Sequence, residues 1–394
     1  MTKKKPDTTT HPDTLLAHIG RHPQDNHGFV NPPVIHASTV LFPDIETMIE
    51  GGQRYTYARR GTPTSDALEE AVSALEGAAG TRLAPSGLAA IAVALQSCLS
   101  AGDHLLVADS VYGPCRNFCN SVLNRFGVSV SYYDPLDLDA LEAAFRPETR
   151  AVFTEAPGSL TFEMQDIPAI AEMAHKRDAI VLNDNTWASP LYFKPIEHGV
   201  DLSIQAGTKY IVGHSDVMLG TVAASERAWK ALEKTHGDMG MCAGPDDIYL
   251  ALRGLRTMGV RLERHMKNAL EVAGWLSGRE EVAQVFYPAL PGAPGHEIWK
   301  RDFAGASGLF SVELAPASDD AVKAFINALE IFGLGYSWGG FESLLTWPRP
   351  KAIRTATSWD AAGPLLRLHI GLEDPADLIA DLEGGFAAFN AART

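Results

Sequence analysis

The feature that most constrains this chain is an alternation of short apolar runs with stretches of helical spacing. The runs are HLLVADS from His104, VSVSYYD from Val128, AVFTEAP from Ala151, IVLNDN from Ile180, LSIQAGT from Leu202 and GTVAAS from Gly220. A strand that is apolar on both faces has to be covered on both. Strands alternating with helices are joined by crossovers, so the pattern predicts a mostly parallel α/β sheet with helices on each face. In such a sheet ligands gather at the carboxyl ends of the strands. The polar residues that follow each apolar run are therefore the candidates for function.

The flanking segments read differently. Met1 to about Gly61 has little periodicity and collects Pro6, Pro12, Pro23, Pro32, Pro33 and Pro43, which predicts an extended arm with no core of its own. Ala67, Leu68, Ala71, Val72 and Leu75 form a helical stripe that Gly77 stops. Asp246 to Ser277 predicts a helical connector interrupted at Gly254 and Gly259. Beyond it VAQVFYP, GLFSVEL and LLRLHIG, separated by helical segments, predict a smaller α+β domain.

Composition removes several function classes. The 394 residues carry a net charge of −15, which gives no global attraction to nucleic acid. A hydrophobic share of 46% with 21% charged residues is that of a globular chain. The most apolar stretch, Gly87 to Leu99, is broken by Gln96 and Ser97, short of the roughly 18 residues a membrane span needs. The opening MTKKKPDTTT has no apolar region behind its basic cluster, so no secretory signal is expected. Cys98, Cys115, Cys119 and Cys242 are too few and too irregular for a disulfide framework. The Cys115–Cys119 and His18–His22 spacings lack the companions of a zinc site, so no metal is expected.

The strand ends hold four candidates. Lys209 follows LSIQAG, where desolvation would lower its proton affinity and favour a nucleophilic amine able to form a Schiff base. A lysine there could equally snorkel outward or pair with a carboxylate. Asp184 follows AIVLN, where it could cap a helix, bind a metal or hold a proton on a heteroaromatic nitrogen. Ser86-Gly87 opens the apolar helix after LAP, either as a tight turn or as a cradle for an anion at a helix N-terminus. Tyr112 follows HLLVADS, where it could stack on a flat ring or simply pack. An amine, a carboxylate, an aromatic lid and a phosphate cradle are together what pyridoxal 5′-phosphate requires.

The stretch SIQAGTKYIVGHSD (Ser203–Asp216) resembles the cofactor-lysine motif of the Cys/Met-metabolism family of pyridoxal-phosphate enzymes. The resemblance extends to YTYARRGTPTSDALEEAVSALEG, VLNDNTW, SWGGFESL and LLRLHIGLEDPADLIADLEGGF, and within the family it is to the bacterial β-lyases. It implies the aspartate aminotransferase-like fold: a mostly parallel seven-stranded sheet with helices on both faces, plus a smaller α+β C-terminal domain. It divides the chain into an arm (1–60) reaching a neighbouring subunit, a cofactor domain (61–254) and a C-terminal domain (255–394). Lys209 would be the Schiff-base lysine and proton shuttle, with Asp184 on the pyridine nitrogen and Tyr112 stacked over the ring and assisting proton transfer as a second catalytic residue. Gly87, Leu88 and Thr208 would bind phosphate, joined by Tyr57 and Arg59 of a neighbouring subunit. Arg367, Ser337, Trp338 and Tyr57 would bind substrate, Arg367 gripping its α-carboxylate. Gly207 departs from the family, which commonly has Ser there, so one phosphate hydrogen bond is expected to be missing. The implied reaction is α,β-elimination on an amino-acid thioether such as cystathionine, giving homocysteine, pyruvate and ammonia. The alternative is γ-chemistry on cystathionine, methionine or an activated homoserine. A cytoplasmic homotetramer built as a dimer of dimers, with no nucleic-acid or membrane partner, completes the expectation.

Overall fold

The structure, a computed structural model, describes residues 10–393. The first nine residues of the expected arm lie outside the described residues. Seven strands form one sheet: β1 (Gly80–Ala84), β2 (His104–Ala108), β3 (Ser129–Tyr133), β4 (Thr149–Glu155), β5 (Ile180–Asp184), β6 (Leu202–Gln205) and β7 (Gly220–Ala224). Their order is β1-β7-β6-β5-β4-β2-β3. The pairs among β2 to β6 are parallel, while β7 runs antiparallel to both β6 and β1.

The chain thus has the expected α/β architecture, with two features the sequence pattern did not show. β1, five residues ending in TRLA, is too short and too polar to stand out as an apolar run. β7 is reversed because no crossover helix separates it from β6. A parallel neighbour needs a connection that returns the chain to the far end of the sheet. Here residues 206–219 form a loop that turns back at the same end, and Lys209 sits in that loop.

The pleat sends alternate side chains to opposite faces. Leu105, Val107, Phe153 and Leu182 join one buried cluster with the helix Gly87–Cys98. Leu106, Val152 and Val181 join the other, which is continuous with the C-terminal part of the chain. That part holds a second sheet of β8 (Val282–Phe286), β9 (Leu309–Leu314), β10 (Gly333–Leu334), β11 (Leu344–Thr346) and β12 (Leu365–His369), in the order β10-β11-β12-β9-β8. The two share one core, which fixes β12 relative to the strand ends of the large sheet.

The connector is two helices, Pro245–Leu255 and Met258–Leu276, and the break falls at Arg256–Thr257 rather than at either glycine. The arm also departs from expectation in part. Residues Pro12–His18 form a helix whose Leu15 and Leu16 are buried against Ala67, Leu68 and Ala71 of the same chain. Farther along, Phe29, Leu41 and Ile49 stand 72%, 84% and 79% exposed, so the middle of the arm has little apolar cover from the described residues.

A buried carboxylate ties the two parts together just beyond β2. Asp109 accepts from Arg116 Nη2 (2.5 Å), from the backbone N–H groups of Thr355 (3.1 Å), Ala356 (3.1 Å) and Thr357 (2.8 Å), and from Thr357 Oγ1 (2.7 Å). A desolvated carboxylate with this many donors stays ionised, so the segment leading to β12 is pinned beside the site.

Candidate active site

The strand ends converge as the parallel sheet requires. Lys209 Nζ donates to Ser337 Oγ at 2.7 Å and lies 5.2 Å from the Trp338 ring centre. Burial, helped by the positive charge of Arg367, lowers its proton affinity to about 8, against a smaller opposing pull from Asp184. The lysine neither snorkels outward nor forms an ion pair, since no carboxylate among the described residues is within salt-bridge distance of it. A substantial fraction is therefore the free amine at neutral to mildly alkaline pH, which is what a nucleophile and proton carrier needs.

Asp184 ends β5. Its Oδ1 accepts from Thr186 N (3.0 Å) and Thr186 Oγ1 (2.5 Å), a local turn contact rather than the helix cap that the sequence left open, since the next helix begins at Ser189. Oδ2 has no hydrogen bond among the described residues and is available to a ligand. Beside it in register stands Glu155, the last residue of β4. Burial and the charge of Asp184 push the Glu155 carboxyl well above the usual carboxylate range. Its Oε2 accepts the Tyr112 N–H at 2.8 Å, which fixes the backbone from which the half-exposed Tyr112 ring projects. Sequence reasoning missed Glu155, although it stands at the end of AVFTEAP as Asp184 does in its own run.

Gly87 begins the helix Gly87–Cys98, capped by Ser86 Oγ, which accepts from Ala89 N at 3.1 Å. A Cβ on Gly87 would stand 2.6 Å from Ala206 Cβ and 3.1 Å from its Cα. Only glycine lets this N-terminus press against the loop of Lys209. The next residue, Leu88, is partly exposed, and the first-turn N–H groups there offer anion donors. Thr208 is less free than expected. Its Oγ1 accepts from Leu219 N (2.9 Å) and donates to Leu219 O (3.2 Å). That carbonyl also holds Thr208 N–H at 3.1 Å, so the hydroxyl can turn to a phosphate without orphaning it. A side chain at Gly207 would meet Leu219 Cδ2 at 3.3 Å, a physical reason for glycine at that position.

Arg367, the middle residue of β12, reaches the same mouth. Its Nη2 donates to the carbonyls of Tyr336 (3.1 Å) and Ser337 (3.3 Å). No salt bridge occupies it among the described residues, which leaves Nη1 and Nε for a carboxylate. Burial lowers its proton affinity to about 10, so it remains cationic at neutral pH.

Tyr57 and Arg59 are not brought to this place. They line a separate cavity of about 410 Å³ that contains none of Lys209, Asp184, Tyr112 and Arg367. Arg59 Nη1 there donates to Gly237 O at 2.7 Å. Cys115 and Cys119 are buried, and no group of three or more metal-ligating side chains occurs among the described residues.

Pyridoxal 5′-phosphate fits what is present. The Gly87 contact opens a cradle that a Cβ would fill, Asp184 keeps an unengaged oxygen, and Lys209 is a low-affinity amine between them. The comparisons agree. Residues 13–387 match the profile of the Cys/Met metabolism PLP-dependent enzymes. A putative cystathionine beta-lyase of Rhizobium johnstonii is 57% identical, with 96% of each chain covered. The cystathionine beta-lyase MetC of Escherichia coli is 43% identical, covering 95% of this chain and 98% of that one. A crystal structure of cystathionine gamma synthase from Xanthomonas oryzae pv. oryzae in complex with cystathionine superimposes with a TM-score of 0.90 at 34% identity, over 97% of this chain and 99% of that one.

The amine makes a direct prediction. In cofactor-free protein the neutral form of Lys209 gains with rising pH, so its reactivity toward an acylating amine reagent should reach half-maximum near pH 8, read by mass mapping of the labelled peptide. A midpoint near the ordinary 10.5 would contradict the desolvated site.

Proposed function

The chain belongs to the Cys/Met-metabolism family of PLP-dependent enzymes and is a carbon–sulfur lyase of that family; from this premise we propose that it cleaves L-cystathionine by α,β-elimination. The observation that carries the reading is the pairing of a cationic Arg367, without a carboxylate partner, with the amine of Lys209 across one cleft. An amino acid bound by its α-carboxylate on Arg367 presents its Cα toward Lys209 Nζ. The putative cystathionine beta-lyase at 57% identity and the cystathionine beta-lyase MetC at 43% support the β-elimination over the γ-chemistry named for the Xanthomonas structure.

Bound there, pyridoxal 5′-phosphate supplies an electron sink for the negative charge that forms at the substrate Cα. Lys209 would hold the cofactor covalently at rest and, once released, remove the Cα proton. Asp184 Oδ2 would hold a proton on the pyridine nitrogen, and the first-turn amides at Gly87 and Leu88, with Thr208 Oγ1, would take the phosphate. Tyr112 would cover the ring. Arg367 Nη1 and Nε would orient the carboxylate while Ser337 and Trp338 close the cleft around Lys209. The balanced outcome is cystathionine and water to homocysteine, pyruvate and ammonia.

The assembly is part of the proposal. The exposed apolar residues of the arm, with Tyr57 and Arg59 in a cavity apart from Lys209, support a second copy whose arm completes each site. A tetramer would pair two such dimers. A cytoplasmic setting is proposed with it, supported by four free cysteines.

Purified protein loaded with pyridoxal 5′-phosphate and given cystathionine should yield pyruvate and homocysteine, identified by mass. Accumulation of 2-oxobutyrate and cysteine would instead establish γ-elimination. Shared sites predict complementation: Lys209→Ala and Arg59→Ala proteins, each at least about tenfold impaired, should regain activity after unfolding and refolding together. A mixture that stays as poor as its components would show that each chain completes its own site.

A further inference from the structure

β12 carries a second residue directed at the site, two positions beyond Arg367. The buried ring of His369 is engaged at both nitrogens by the same loop. Nε2 accepts the Gly339 N–H at 3.0 Å, and Nδ1 lies 3.0 Å from Glu342 O. An amide N–H needs an acceptor and a carbonyl needs a donor. Only the neutral imidazole with its proton on Nδ1 satisfies both. The two bonds bracket residues 339–342 and leave the front of that loop resting on the lysine.

The contact with Lys209 is close. Ser337 Oγ accepts from Lys209 Nζ at 2.7 Å, and the Trp338 ring centre is 5.2 Å from the same nitrogen. A Cβ on Gly339, whose φ is +84°, would stand 2.9 Å from Lys209 Cα. The far end of the loop is tied back to the lysine's own loop, where Ser215 Oγ donates to Glu342 Oε1 at 2.7 Å. His369 touches neither Nζ nor the open cleft, and its hold on the loop is entirely through its ring.

We propose that His369 is a positioning residue for the reaction: by holding Gly339 and Glu342 with an Nδ1-protonated ring, it seats the Ser337–Trp338 loop over Lys209 and keeps the amine desolvated. Two rings face His369. The His265 ring lies 5.2 Å away and the Tyr210 ring 6.1 Å away. Burial, His265 and the cations of Arg367 and Lys209 hold His369 well below the ordinary imidazole range, against a weaker pull from the Glu342 carbonyl. The ring therefore keeps its acceptor nitrogen bare throughout the range in which the lysine titrates.

This inference rests on the reading of Lys209 as the proton-carrying amine, and its test separates the two. Full-length cofactor-free protein is labelled at Lys209 across pH, and the loaded protein is assayed with cystathionine. His369→Gln can place an acceptor near the Nε2 position, whereas His369→Asn and His369→Phe cannot. The Asn and Phe variants should shift the Lys209 midpoint upward toward that of an ordinary lysine and lower kcat about tenfold with KM little changed. The Gln variant should stay close to the parent. Because His369 acts through the loop, Ser337→Ala combined with His369→Asn should lose less than the product of the two single losses. Unchanged midpoints in Asn and Phe, equal loss in Gln, or fully additive losses would overturn the assignment. If the variants fail to fold, the tautomer of His369 in the parent protein, read by neutron diffraction, decides: a proton on Nε2 overturns it. A parent midpoint already at the ordinary lysine value would instead fail the reading of the amine.

Discussion

The structure depends on keeping one amine dry. Lys209 sits where the loop between β6 and the reversed strand β7 turns over, facing the Ser337–Trp338 loop and Arg367 of β12 in the second sheet. Burial is the largest influence on it, and the guanidinium of Arg367 acts in the same direction. Both act only while water and carboxylates are kept away. An exposed lysine beside an arginine is screened by water, and a buried lysine with a carboxylate partner stays protonated. The fold supplies both conditions by sharing one core between the two sheets, so that β12 cannot drift from the strand ends. The Asp109 carboxylate, held by Arg116 and by backbone N–H groups of residues 355–357, fixes the same relation from the other side.

The acidic side of the cleft shows how a like-charged pair is resolved. Glu155 and Asp184 end adjacent strands in register; burial raises the proton affinity of both, and the charge of Asp184 raises that of Glu155 further. Asp184 has Thr186 as donor and Lys209 as counter-charge, which favour its ionised form. Glu155 has the stronger upward shift, opposed by the Tyr112 N–H that its Oε2 accepts. Asp184 is left with one oxygen unengaged for a ligand, while Glu155 organises the backbone of the aromatic residue opposite.

Much of this was legible in the sequence, for identifiable reasons. Lys209, Asp184, Tyr112 and Gly87 can be named as candidates because parallel strands advertise themselves as apolar runs, and the rule about their carboxyl ends then points to the residues that follow. Arg367 was found because a guanidinium inside LLRLHIG is conspicuous. What escaped has physical causes as well. β1 buries too little apolar surface to give a run, and the reversal of β7 depends on the absence of a helix rather than on a pattern. Glu155 ended its run as plainly as Asp184 did, but its importance lies in register with a neighbour 29 residues away, which one-dimensional spacing does not carry. His369 escaped because alternation along β12 predicts burial and says nothing about which nitrogen finds which loop. The N-terminal arm was foreseen as extended because its prolines break periodicity, yet Leu15 and Leu16 find cover on the chain's own helix Pro63–Glu76.

The most direct test is chemical. Protein loaded with pyridoxal 5′-phosphate, reduced with borohydride and digested, should carry the label on the peptide containing Lys209 and on no other. A label on a different lysine, or none after reduction, would contradict the account at its centre.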